Sequence, residues 1–177
     1  MPFLPRHLPL LAGALLLTLA APAEAHPGHA FGGWTAGFSH PLLGWDHFVV
    51  MVAVGAWAAQ HAGAARWIIP ATFVAVMGSG GVAGALGLPL PGVEAMILLS
   101  VITLAGLVLA RRNLPLGWGM AVTGLFAFFH GFAHGQEISD TSRLMSFGAG
   151  FMAATAFLHG LGYAGAAIAT RRKLKHI

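Results

Sequence analysis

Residues 115–137 read PLGWGMAVTGLFAFFHGFAHGQE, and this stretch decides the fold. About 20 consecutive, predominantly apolar residues are enough to cross the hydrocarbon core of a bilayer as a helix. Only the last nine residues, Phe129 to Glu137, bring ionisable groups into the run, and they bring them in a pattern. On a helix His130 and His134 form an i, i+4 pair on one face, and Glu137 extends the same stripe. Two imidazoles and a carboxylate suit borderline divalent ions such as Ni²⁺, Co²⁺ and Zn²⁺, and a chain without cysteine has no softer ligand set to offer. Ionisable groups at membrane depth are costly, and they typically mark an ion or substrate path.

Composition extends this reading to the whole chain. Of 177 residues, 57% are hydrophobic and 8% are charged, too little polar surface for an ordinary soluble domain. The expected fold class is therefore all-α, a polytopic transmembrane helical bundle. The net charge of +4 comes from nine Lys and Arg against five Asp and Glu, and four of the nine basic residues fall in the last seven positions. Such a tail is a topology signal, and the pattern gives no ground for a nucleic-acid partner, which needs basic residues spread over a soluble surface. Membrane lipid and a divalent ion are the partners expected.

Residues 1–25 have the form of a bacterial signal peptide: Arg6 and His7, an apolar run from Leu8 to Ala21, then Ala23-Glu24-Ala25 as a small-x-small cleavage site. Cleavage leaves residues 26–177 as one transmembrane domain with His26-Pro27-Gly28-His29 outside the cytoplasmic membrane. An uncleaved anchor is the alternative, because Pro5, Pro9 and Pro22 crowd a short apolar core. The free amine and imidazole of His26 can chelate an ion, with His29 as a third nitrogen. Pro27 has no amide hydrogen, so a tight square-planar amide site cannot form, and the tail is expected at most to gather metal weakly.

About five spans follow, near 41–60, 66–87, 92–110, 115–136 and 144–170. An outer N-terminus and five crossings put the C-terminus in the cytoplasm of a multi-pass inner-membrane protein. Arg66, Arg111, Arg112, Arg171, Arg172, Lys173 and Lys175 then fall inside and only Arg143 outside, the asymmetry that topogenesis favours. Glycines cluster in the second and fifth spans, at Gly78, Gly80, Gly81, Gly84 and Gly87 and at Gly148, Gly150, Gly160, Gly162 and Gly165. They are expected to let helices pack closely. A phosphate loop is excluded at Gly78-Ser79-Gly80-Gly81, since no Lys-Ser or Lys-Thr follows.

A second polar cluster opens the first span, His40-Pro41-Leu42-Leu43-Gly44-Trp45-Asp46-His47. A helix started at Pro41 carries Asp46 and His47 about 8 Å below the outer surface at 1.5 Å per residue. His130 and His134 lie at comparable depth on the fourth span, so the two clusters meet in one layer if those helices pack together.

On these residues the chain resembles the HupE/UreJ family of nickel and cobalt permeases. The resemblance rests on His-x5-Asp-His in His40, Asp46 and His47, and on Phe-His-Gly-x-Ala-His-Gly-x-Glu from Phe129 to Glu137. It extends to the signal peptide, the early His-Pro-Gly-His and the span pattern. It implies uptake of Ni²⁺ or Co²⁺ for metalloenzymes such as hydrogenase or urease, with no tightly bound cofactor and Zn²⁺ as a surrogate for the transported ion.

Several residues keep two readings. Glu137 is a ligand or a solvated acid at a helix end, and His40 is a ligand or an interfacial residue above the site. His159, deep in the fifth span, is a second station on the path or a packed core histidine. Met51 and Met77 read as packing, because thioethers favour softer ions. For the whole cluster the rival is an intramembrane zinc hydrolase with an Asp base, and a third reading is a metal sensor or store.

Overall fold

The computed structural model describes residues 33–138 and 141–174, with the side chains of residues 141–142 and 172–174 left aside. The expected signal peptide, His26, His29, Asp140, Lys175 and His176 lie outside the described residues. Six helices follow one another: α1 (Trp34–Leu43), α2 (Trp45–Ala58), α3 (Ala65–Ala85), α4 (Val93–Leu109), α5 (Leu116–Glu137) and α6 (Thr141–Leu174). No strand occurs among the described residues.

Length and composition qualify α3, α5 and most of α6, Arg143–Arg171, as candidate membrane spans. Their outward faces are apolar, with Trp67, Trp118, Leu125, Phe157 and Ile168 exposed, as suits a surface solvated by lipid. The 17-residue α4 is apolar but only about 25 Å long, short of the ~30 Å hydrocarbon thickness, and it buries one stripe of Ile97, Ser100, Val101 and Leu104.

The first expected span is not one straight helix. Pro41 lies inside α1 instead of opening a helix, and the chain breaks at Gly44, where α1 and α2 meet at 83°. Gly44 adopts an extended conformation, its N–H closing the last turn of α1 on the His40 carbonyl and its own carbonyl accepting from Phe48 in the first turn of α2. The low helix propensity of glycine makes this an inexpensive place to break. Asp46 then stands in the first turn of α2, where a carboxylate complements the helix dipole.

Glycine fixes how the long helices meet, though not always where expected. Helices α3 and α5 make the most extensive pairing, running parallel: Gly80 and Gly84 lie on the carbonyls of Phe128 and Phe132, and Gly131 and Gly135 on those of Met77 and Gly81. A Cβ at any of the four would overlap main-chain oxygen, so only glycine permits this approach. In α6, Gly150 and Gly162 make similarly close contacts with α1 and α2, whereas Gly148, Gly160 and Gly165 face open space. Gly87 does not pack either; it ends α3 with a positive φ of 69°.

One end of the bundle is basic. The indole of Trp57 donates to the Arg112 carbonyl, Gln60 donates to Val108, and Asn113 donates to Gln60, so the end of α2 is tied to the turn carrying Arg111 and Arg112. Arg66 starts α3 at this same end. Trp67 stacks on Tyr163 at 5.4 Å between ring centroids, which places the following turns of α6, with Arg171, here too. Arg143, near the start of α6, lies at the opposite end of the bundle.

Candidate metal site

The break at Gly44 turns α1 across the non-basic end of the bundle and brings His40 back over His47. The glycine seam between α3 and α5 sets the rotation of α5, and His130 and His134 each precede a seam glycine, so both imidazoles are turned off the seam into the bundle. Gly131 and Gly135 therefore serve tight packing; the flexible ion path that glycines beside histidines suggest is not what they build. Helices α2 and α5 are not among the extensively packed pairs. Their side chains meet all the same, reaching into the space between them.

His40, His47 and His134 come together, with one ring nitrogen from each lying within 4.8 Å of the others. Nε2 of His47 and Nε2 of His134 are 2.8 Å apart. Two nitrogens bound to one ion at about 2.0–2.1 Å and at right angles are about 2.9 Å apart, so the pair stands at the separation of neighbouring ligands. The rings of His40 and His134 have centroids 4.3 Å apart. His40 is thus part of the cluster.

Each imidazole has a neighbour that orients it. His47 donates from Nδ1 to Asp46 Oδ1 at 2.7 Å, and the same oxygen accepts the His47 backbone N–H at 2.7 Å. A carboxylate held against Nδ1–H leaves Nε2 of a neutral imidazole as the free lone pair, the usual arrangement behind a metal-bound histidine. On the other side, His134 Nδ1 lies 3.7 Å from Glu137 Oε2, beyond a hydrogen bond. Glu137 ends α5 with its side chain 54% exposed, so it faces outward more than into the bundle. An ion binding both Nε2 atoms forces the His134 proton onto Nδ1, where Glu137 is placed to accept it.

His130 adjoins the triad on the side of His47. It is fully buried, its ring centroid 4.7 Å from that of His47, and its Nε2 is 2.9 Å from Ser100 Oγ. The Ser100 hydroxyl already donates to the Ile97 carbonyl at 2.6 Å, so the imidazole is the donor in the His130 contact. Nδ1 of His130 is then a bare lone pair, buried and without a hydrogen-bond partner among the described residues. The sequence reading missed Ser100; the signal was a hydroxyl on the otherwise apolar stripe of α4. It also missed Phe147 and Phe151, whose rings pack against His40 and His134 and seal the cluster from α6. His159 is separate, buried one further turn past Thr155 along α6 and packed edge-on to Phe73.

Comparison with known proteins assigns the chain to a family. The HupE / UreJ protein family model matches residues 14–176. The chain is 45% identical over 146 residues to Protein HupE of Rhizobium leguminosarum bv. viciae, an alignment covering 82% of this chain and 76% of that one. No solved structure matches. With apolar helices of membrane-spanning length and both histidine motifs present, the chain belongs to the HupE/UreJ family of membrane proteins.

Proposed function

We propose that this chain is a secondary transporter or channel-like permease that takes up Ni²⁺ or Co²⁺ across the bacterial cytoplasmic membrane and supplies the maturation of a metalloenzyme such as hydrogenase or urease. The observation that carries the proposal is the convergence of His40, His47 and His134 within 4.8 Å, flanked by Asp46 and Glu137, at one end of an apolar bundle. Imidazole ligands suit Ni²⁺ and Co²⁺, and the two carboxylates offset the charge of an ion shedding its water.

The histidine end faces the periplasm in this proposal and the basic end the cytoplasm, following the positive-inside preference. The bent α1–α2 pair counts as one crossing and α4, despite its length, as another, which with α3, α5 and α6 makes five. Residues 1–25 are removed as a signal peptide, leaving the mature N-terminus outside and the C-terminus inside. A divalent ion moving inward gains about 4.6 kcal/mol per 100 mV of membrane potential, enough to drive entry without ATP. The zinc-hydrolase alternative gains nothing from the family relationship.

Uptake of radioactive Ni²⁺ and Co²⁺ into cells expressing the chain tests the proposal. Accumulation above vector-only cells, lost in His134→Ala and kept in His61→Ala at the basic end, is the expected result. Uptake equal to vector-only cells at matched membrane levels of protein refutes it.

A further inference from the structure

Along α6, Phe147, Phe151, Thr155, His159 and Tyr163 follow at every fourth position, a row that winds slowly round the helix as it runs the depth of the bundle. Phe151 touches the histidine cluster, its ring centroid 5.8 Å from those of His40 and His47. One turn toward the basic end, Thr155 Oγ1 lies 3.2 Å from Met51 Sδ and 3.8 Å from Met77 Sδ, all three residues being buried. The next turn brings His159, which is 5% exposed and has neither ring nitrogen hydrogen-bonded among the described residues. A buried imidazole left without partners is costly, and packing against Phe73 does not compensate it.

Two cavities lie at different depths along the bundle, both bordered by α3 and α6. The first, about 230 Å³, is lined by His134, Phe147, Phe151 and Met77. The second, about 390 Å³, is lined by His159, Gly55, Arg66, Trp67 and Tyr163 and lies toward the basic end. Met77 therefore borders the first cavity and touches Thr155, while His159, only about 6 Å further along the axis of α6, borders the second. Thr155, with the thioethers of Met51 and Met77 against its hydroxyl, stands between Phe151 and His159 along α6.

We propose that His159 is a second metal-binding station, reached through the layer of Met51, Met77 and Thr155, at which a partly dehydrated late-transition-metal ion pauses before leaving through the inner cavity. This rests on the uptake function proposed above. The chemistry differs from the outer cluster in a useful direction. Imidazole is poor for Mg²⁺ and Ca²⁺ and suits Ni²⁺ or Co²⁺, while the neutral thioethers and hydroxyl add only weak contacts, so the ion is held loosely. With Arg66 on the same cavity the station is shallow, and conduction requires a site weak enough to leave.

The test pairs uptake of radioactive Ni²⁺ in cells with equilibrium Ni²⁺ binding to the purified protein in detergent, for wild type, His159→Ala, His159→Gln and the double variant Met51→Leu/Met77→Leu. The expected result for both His159 variants is an uptake loss of about tenfold or more with outer-cluster affinity and melting temperature close to wild type. The Met double variant, which keeps side-chain volume and loses sulfur, is expected to slow uptake in the same way. Wild-type uptake in the His159 variants overturns the station. Parallel loss of binding and uptake also overturns it, since His159 would then act by supporting the outer cluster. Failure of the wild-type chain itself to take up metal removes the underlying function, a distinct outcome.

Discussion

The two ends of the bundle are built from the same apolar helices and carry opposite chemistry. At one end His40, His47 and His134 converge beside Asp46 and Glu137. The other gathers Arg66, Arg111, Arg112 and Arg171 around main-chain hydrogen bonds from Trp57, Gln60 and Asn113. In the uptake proposed above, the first end favours a divalent cation and the second disfavours it, so a shallow inner station such as the one proposed at His159 serves release better than a second carboxylate site. In that proposal the membrane potential supplies the direction, and the placement of acids at one end and arginines at the other separates the end that binds the ion from the end that releases it.

That contrast breaks most severely if the outer cluster loses a ligand. His47→Ala and His134→Ala are each expected to lower Ni²⁺ affinity about 100-fold or more, and Asp46→Asn about 10- to 100-fold by releasing the tautomer of His47, as measured by calorimetric titration of the purified protein. If Asp46→Asn binds like wild type, the carboxylate does not orient His47. Next in size is the seam that aims α5. A Cβ at Gly131 overlaps the Met77 carbonyl, so Gly131→Ala should destabilise the protein by about 1–3 kcal/mol in thermal or denaturant melts. Gly160→Ala, facing open space, should stay within about 0.5 kcal/mol of wild type. The smallest effect sharpens the geometry at the bend: a Cβ at Gly44 lies 3.3 Å from Asp46 Oδ1 and 3.4 Å from His47 Nδ1, a crowding of tenths of an ångström. Gly44→Ala should weaken Ni²⁺ binding by less than about tenfold while leaving the melting temperature unchanged.

Much of this site was legible in the sequence. Equal depth of His47 and His134 on two apolar runs predicted that they meet, and their ring nitrogens stand 2.8 Å apart. The bend was not legible, because Pro41 is an acceptable helix start and hydropathy does not register a break at Gly44. Nor could spacing tell which glycines pack, since Gly131 and Gly148 differ only in how their helices are rotated, and rotation is set by neighbours. His130, read as one more ligand of the cluster, packs against His47 and sets its Nε2 on Ser100 of α4, a pairing between residues 30 apart that no local pattern encodes.

The central claim is that His40, His47 and His134 together form a site for a transported divalent ion. X-ray absorption at the nickel edge, on purified protein loaded with one Ni²⁺ per chain, tests it most directly. The account predicts at least two imidazole nitrogens at about 2.0–2.1 Å in the wild type and fewer in His134→Ala. A shell of oxygen ligands alone, identical in the wild type and in His134→Ala, would contradict it.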